Sequence, residues 1–233
     1  MTGRLAVIPA RGGSKRIPQK NIRNFCGKPI IAYILDTVKK SNIFDVIHVS
    51  TDSESIANTV HELGFTVDFM RPSELADDYT PVMPVLKYVH DEYLNRGYEF
   101  DQVWSLMPTS PFIEAEDLIK ADKLFIKSGC NYSLWGVSEY QAPVEWAFER
   151  EDDGSLVPVQ PGKFAIRSQD LEPKYYDVGS FALFSSKTVV ESEGAGSDDK
   201  YIGYVLPKYK AVDIDTMDDW MFAEMIYKGY MCK

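Results

Sequence analysis

The 233-residue sequence predicts an α/β fold, a three-layer α/β/α sandwich on a mostly parallel, Rossmann-like sheet. Three observations predict it. Short apolar runs alternate with stretches of helical period. The alternation persists through most of the chain, as a parallel sheet covered on both faces requires. The first apolar run also empties into a glycine-containing loop, at the end of a strand where open α/β sheets bind ligands.

Leu5-Ala6-Val7-Ile8-Pro9 reads as a short buried strand and Ala10 to Asn21 as a loop. Pro29 suits the first turn of a helix reaching Ser41, with Ile30, Ile31, Ile34 and Val38 on its apolar face. Asp45 to Ser50 is a strand; Asp52 or Ser53 caps a helix carrying Ile56, Val60 and Leu63, which Gly64 ends. Phe65 to Met70 is expected to resume a strand. Thr80-Pro81 opens a helix marked by Val82, Val85, Leu86 and Val89, followed by a strand over Gln102 to Met107. Glu114 to Lys127 is a helix and Tyr132 to Val137 a strand. Residues 139–177 break the rhythm with prolines, an Asp152-Asp153-Gly154 turn and extended pieces such as Leu156 to Val159. That region is an elaborated crossover, a flap over a substrate site, a contact with a second subunit, or a combination. Phe181 to Phe184, Tyr201 to Leu206 and Ala211 to Ile214 read as strands, the polar run Gly194 to Asp199 as a loop, and Asp218 to Tyr227 as the closing helix. No internal repeat or linker divides the chain, so residues 1–233 are expected to form one domain.

Composition narrows the function classes. Apolar and charged fractions of 45% and 26% are those of a globular protein. No apolar run approaches the length of a membrane span, and the N-terminus shows no signal-peptide arrangement, which favours the cytoplasm. Cys26, Cys130 and Cys232 have neither zinc nor disulfide spacing, and the isolated His48, His61 and His90 read as structural or surface-exposed, not catalytic. The net charge of −10 disfavours a nucleic-acid partner. Residues 1–28 nevertheless hold seven basic residues and no acid, while the rest holds 18 basic against 35 acidic residues. A small anion at a local basic site reconciles the two.

The loop supplies that site. In Ala10-Arg11-Gly12-Gly13-Ser14-Lys15-Arg16-Ile17-Pro18-Gln19-Lys20-Asn21, adjacent glycines allow a tight turn whose N–H groups converge on a phosphate. Arg11 offers a planar fork, and Lys15 and Lys20 offer point charges against a triphosphate. The pattern is neither Walker A nor GxGxxG. Seven cations without acidic compensation would repel one another unless an anion were present. Asp213-Ile214-Asp215, read as a strand end, places two carboxylates on one side; hard oxygens that also meet phosphates suit Mg²⁺, though a solvated strand end is an equal alternative. Thr51-Asp52 and Pro108-Thr109-Ser110-Pro111 follow predicted strands and could hold a base or sugar, with helix capping the alternative for Asp52.

The run Ile8 to Pro18 with Lys20-Asn21-Ile22 and Gly27-Lys28-Pro29-Ile30 resembles the acylneuraminate cytidylyltransferase family (CMP-sialic acid synthetases). Ser50-Thr51-Asp52, Arg71-Pro72, Pro108 to Pro111 and Asp213-Ile214-Asp215-Thr216 extend the resemblance in order along the chain. Lys15-Arg16 and Arg167-Ser168-Gln169-Asp170-Leu171-Glu172-Pro173 resemble the pseudaminic acid branch, and Tyr176-Asp177-Val178-Gly179 the acceptor side of the site. Val144-Glu145-Trp146, Ser180 and Ala182-Leu183 depart from the pseudaminate pattern; Met107 and Phe112-Ile113 depart from that of typical sialic acid enzymes.

The resemblance implies a fold of the nucleotide-sugar transferase type. It also implies transfer of CMP from CTP to the anomeric hydroxyl of an acidic nine-carbon keto sugar, releasing pyrophosphate, in cell-surface glycan biosynthesis. Pseudaminic acid is the first choice of acceptor; legionaminic, N-acetylneuraminic or another 2-keto-3-deoxy acid is the alternative. By position, Arg11, Gly12, Gly13, Ser14, Lys15, Lys20, Asn21, Arg71, Thr109 and Ser110 serve the nucleotide. Asp213 and Asp215 bind Mg²⁺; Arg167, Gln169 and Asp177 face the acceptor sugar. Arg11, Lys20, Asp213 and Asp215 are the expected catalytic set, and a homodimer is implied. A non-catalytic nucleotide-binding protein on the same fold is the remaining alternative, disfavoured by retention of Lys20, Asp213 and Asp215.

Overall fold

Strand β1 (Arg4–Pro9) shows why both faces of the sheet are covered. Leu5 and Val7 enter one apolar cluster, Ala6 and Ile8 another, and all four are fully buried. The computed structural model describes residues 3–192, 194 and 200–231. After β1 come β2 (Asn24–Phe25), β3 (Lys28–Pro29), α1 (Ile31–Ser41), β4 (Val46–Ser50), α2 (Glu54–Glu62), α3 (Val82–Asn95) and β5 (Gln102–Leu106). Then follow α4 (Ala115–Lys127), β6 (Ser133–Glu139), β7 (Phe148–Arg150), β8 (Leu156–Pro158), β9 (Tyr175–Ser185), α5 (Ser186–Glu191), β10 (Tyr201–Val205) and α6 (Met217–Met231).

The main sheet has the order β10-β6-β9-β5-β1-β4. β1 runs parallel to β4 and β5, and β10 parallel to β6, whereas β9 is antiparallel to both β5 and β6. Helices α1, α2 and α4 cover one face through Ile34, Val60, Leu118 and Phe125. Helices α3 and α5 cover the other through Leu86, Val89 and Val189. The α/β/α expectation therefore holds. A third cluster packs Trp220 and Ala223 of α6 onto Ile17, Phe25 and Ile214, which seats the basic loop and the Asp213–Asp215 segment against one helix.

Three local expectations need correction. Pro29 lies in a β2–β3 hairpin, not a helix: Cys26 (φ 46°) and Gly27 (φ 107°) turn the chain so that Asn24 pairs with Pro29, and α1 starts two residues later. Phe65 to Met70 forms no strand: it pairs with no ladder, and the backbone bond to the β4 end comes just after it, from Arg71 N to Thr51 O at 2.7 Å. Ala211 to Ile214 is also outside any ladder; side chains, not a neighbouring strand, satisfy part of its backbone. Of the two candidate caps for α2, Ser53 takes the position, and the Asp52 carboxylate turns to the basic loop.

In the 139–177 region β7 and β8 form a separate two-stranded hairpin, with Trp146, Phe148 and Phe164 packed edge to face at its base. Cys26 and Cys130 are free; Cys232 and, apart from Gly194, the loop 194–199 lie outside the described residues. Among the described residues no helix is long and apolar enough to cross a membrane.

Candidate active site

The parallel pairing of β1 with β4 and β5 brings Pro9, Ser50 and Leu106 to one end of the sheet, and the basic loop leaves from there. Ala10 N donates to Ser50 O at 2.9 Å. Gly12 N donates to Asp52 Oδ1 at 2.8 Å. A Cβ on Gly12 would come within 2.9 Å of Ser53 Cβ, so only glycine fits this approach of loop to helix. Gly13 faces open space instead. Further along, Ile17 is buried in the α6 cluster, and buried Asn21 donates through Nδ2 to Arg11 O at 3.0 Å. Anchors at Gly12, Ile17 and Asn21 leave the cationic side chains between them at the cleft. Two amides expected to meet phosphate are spent internally, Gly12 on Asp52 and Ser14 on Gly12 O.

The uncompensated charge read from residues 1–28 does not survive folding. Arg11 Nη1 lies 2.6 Å from Asp78 Oδ1 and donates to Asp77 O at 2.8 Å, and Lys15 pairs with the other Asp78 oxygen. Arg16 meets Asp215 Oδ2 at 2.9 Å; Lys20 Nζ meets Ile214 O at 2.8 Å and Asp215 Oδ1 at 3.2 Å. Away from the cleft, Arg4 pairs with Asp122, Lys28 with Asp36, and Arg23 lies over the Trp220 ring. At the site the compensating acids, Asp78 and Asp215, stand far away in sequence, so a local charge count misses them. Partly exposed pairs of this kind contribute little free energy each, and a polyanion can displace them at small cost.

Asp213 and Asp215 flank Ile214, which is fully buried in the α6 cluster. Burying Ile214 turns its neighbours outward together, as a strand end would have done. Asp215 N and Thr216 N both donate to Asp219 Oδ2, at 3.1 and 2.7 Å, which holds the turn into α6. Partial desolvation, then the charge of Asp215, pushes the Asp213 carboxyl above its ordinary value, with Lys20 opposing. Gly179 (φ +65°) sits beside it: a Cβ there would be 4.0 Å from Asp213 Cγ. Asp177 Oδ1 accepts from Gly179 N at 2.9 Å, so the two acids approach the same glycine. Desolvation also raises the Asp177 carboxyl.

The remaining expected residues divide. Ser110 is buried with its Oγ 3.4 Å from Ser180 O, and Thr109 is half-buried beside it. Arg71 is buried, not presented: Nε donates to Ser50 Oγ at 3.0 Å, Nη2 to Ser50 O at 2.7 Å, and Nη1 to Leu75 O at 3.4 Å. Burial lowers its pKa to about 10. It braces the β4 end through Ser50. Arg167 and Gln169 lie on an exposed turn, and Arg167 grips Asp170 with two bonds at 2.7 and 3.0 Å. Asp177 instead lines a groove of about 640 Å³ on the sheet face, with Trp135, Val137, Tyr175, Tyr176 and Tyr201. Sequence reasoning passed over Asp78; the acidic pair Asp77-Asp78 in a loop ahead of α3 was the available signal.

A model of the cytidylyltransferase family matches residues 5–142, which span β1, the basic loop and the ends of β4 and β5. The chain belongs to the cytidylyltransferase family. It is a CTP-dependent nucleotidyltransferase. This cytidylyltransferase is 34% identical over 224 residues to a pseudaminic acid cytidylyltransferase of Campylobacter jejuni, covering 96% of each chain. It is 33% identical to the CMP-N,N'-diacetyllegionaminic acid synthase of Legionella pneumophila, covering 95% of each. Among solved structures it resembles a CMP:2-keto-3-deoxy-manno-octonic acid synthetase complexed with CTP. The TM-score is 0.71 over 98% of this chain and 100% of that one, at 16% identity, a likeness of fold.

Proposed function

We propose that this cytidylyltransferase transfers CMP from CTP to the anomeric hydroxyl of pseudaminic acid, releasing pyrophosphate. The observation that carries the catalytic reading is the meeting of the basic loop with the carboxylate segment at Lys20, Ile214 and Asp215. The choice of acceptor rests on the 34% identity to a pseudaminic acid enzyme along nearly the whole chain. Legionaminic acid is the second reading, favoured by the Legionella relative.

In this reading Arg11 and Lys15 exchange Asp78 for the triphosphate, Gly13 leaves room for it, and Ser14 adds a hydroxyl. Asn21 holds the loop from within. Thr109 and Ser110 border the base and sugar, and Asp177 with the aromatic groove borders the acceptor. The acceptor hydroxyl attacks the α-phosphorus, its proton passes to one of the site carboxylates, and the bond to the β-phosphate oxygen breaks. Lys20 stabilises the charge that collects on departing pyrophosphate.

Among the described residues no group of three or more metal-ligating side chains is present. Two adjacent carboxylates still fit Mg²⁺, which keeps several waters and completes its shell with phosphate oxygens. Held by Asp213 and Asp215, Mg²⁺ would supply Lewis-acid charge at the α-phosphate. The exposed apolar side chains of the β7–β8 region, Leu156 at 57% and Phe164 at 60% among them, support a homodimer in which this hairpin is covered. A CTP-consuming enzyme with free thiols fits the cytoplasm.

The test is pyrophosphate release from each nucleoside triphosphate with Mg²⁺ and a panel of keto-sugar acids. Release with CTP and pseudaminic acid is expected. Release without any acceptor would contradict the transfer, and preference for legionaminic acid would install the second reading.

A further inference from the structure

An ion cluster gathers around the buried ammonium of Lys210, at the upstream end of the carboxylate segment. Lys210, with a side chain 4% exposed, places Nζ 2.6 Å from Glu114 Oε2 and 2.6 Å from Asp117 Oδ2. Tyr204 OH donates to the other Asp117 oxygen at 3.1 Å, and Tyr230 OH to Glu114 Oε1 at 3.3 Å. Asp117 Oδ2 also accepts from Glu114 N at 2.9 Å, closing the first turn of α4. Burial disfavours the Lys210 charge, but the two carboxylates outweigh it and hold the ammonium above its ordinary pKa.

The members of this cluster come from the two segments that deliver the site. Lys210 stands three residues before Asp213, and Glu114 four residues after Ser110. Residues 211–215 lie outside the sheet, so no strand neighbour sets their position. They are held by side chains: Lys20 on Ile214 O, Asp219 on Asp215 N, and Lys210 at the upstream end. A buried ion pair is a weak way to gain stability, since desolvation offsets its attraction. Its directional bonds nevertheless fix where a chain segment sits.

We propose that Lys210 is a positioning residue, which sets Asp213 and Asp215 against the Thr109-Ser110 loop by binding the first turn of α4. The inference rests on the assignment of Asp213 and Asp215 to Mg²⁺ proposed above.

Three variants test it: Lys210→Met, Lys210→Arg and Glu114→Gln. Turnover is measured against Mg²⁺ and against CTP, and Mn²⁺ bound to the enzyme with CTP is counted by paramagnetic resonance. With the melting temperature as control, Lys210→Met assayed well below its melt should lose about tenfold or more in kcat and in Mn²⁺ affinity. Its KM for CTP should change little, because the basic loop is untouched. Lys210→Arg should restore most of both, and Glu114→Gln should shift both the same way by less. If Lys210→Met does not fold, Glu114→Gln and Lys210→Arg carry the test. A lowered melting temperature with wild-type kcat and Mn²⁺ affinity in the folded variants would overturn the proposal. So would a Lys210→Arg variant that folds yet is as impaired as Lys210→Met. Asp215→Asn separates the two readings. If it retains turnover and Mn²⁺ binding, the metal assignment fails and takes this inference with it; if it loses both while the Lys210 variants do not, only the positioning role fails.

Discussion

Lys20 bridges the two halves of the site, with Nζ 2.8 Å from the carbonyl of Ile214 and 3.2 Å from the carboxylate of Asp215. Its side chain is 21% exposed, so it can release Asp215 for phosphate without leaving the backbone carbonyl. Lys20→Met is expected to lower kcat by about a hundredfold or more, the scale of removing one donor from a developing oxyanion. KM for CTP should rise less, because Arg11 and Lys15 remain. Steady-state kinetics on the folded variant decide it; an unchanged kcat would remove Lys20 from the reaction.

Asp78 competes with the nucleotide for Arg11 and Lys15. Replacing it by Asn should lower KM for CTP several-fold at low salt, and the gain should shrink as ionic strength rises, since exposed pairs are screened. A higher KM in Asp78→Asn would instead make Asp78 part of the nucleotide site.

Asp213 and Asp215 repel one another across Ile214. Without metal, Asp213→Asn should therefore melt at a higher temperature than wild type at neutral pH while losing most turnover, the stability–function conflict expected of an active site. Calorimetry in chelator checks the first half and pyrophosphate release the second.

His48 is buried on β4, stacked on Phe69 and 3.2 Å from the hydroxyl of Tyr93. Burial lowers its pKa from 6.5 to about 4. The unfolded chain therefore takes up a proton that the folded chain refuses. Stability is full above pH 6.5 and falls as pH drops towards 4, by about 3 kcal/mol at 1.36 kcal/mol per pKa unit. His48→Phe should remove that slope; Tyr93 keeps its 2.6 Å bond to Asp68. Urea unfolding at a series of pH values measures it.

Arg71 is a structural test of the same region. Arg71→Met should destabilise the fold by about 2 kcal/mol, because Ser50 O and Oγ lose buried donors. Its effect on KM should follow from loosening of the β4 end.

What the sequence displayed most clearly was local. Apolar alternation located β1, β4, β5, β6 and β10, and the spacing of Asp213 and Asp215 put both acids on one side. The strand predicted around them was absent because Ile214 is buried by α6, a contact no local pattern encodes. The same holds for charge. Arg11 and Lys15 read as unpaired because Asp78 lies more than sixty residues away. Gly12 and Gly13 looked equivalent in sequence, yet Ser53 crowds only Gly12. Phe181 to Phe184 read as a strand, but its direction depends on the long 139–177 detour that returns the chain from the opposite end.

That reversed strand has a consequence for biosynthesis. Among the described residues β9 is the strand bonded to both β5 and β6, and it is completed at Ser185. A nascent chain that has already emerged through β6 therefore exposes two unpaired strand edges until the ribosome has added almost fifty further residues. The segment matched by the family model ends at residue 142, short of that closing strand. Expressed alone, it would hold the nucleotide loop but leave the middle of its sheet open, a template for pairing with other chains.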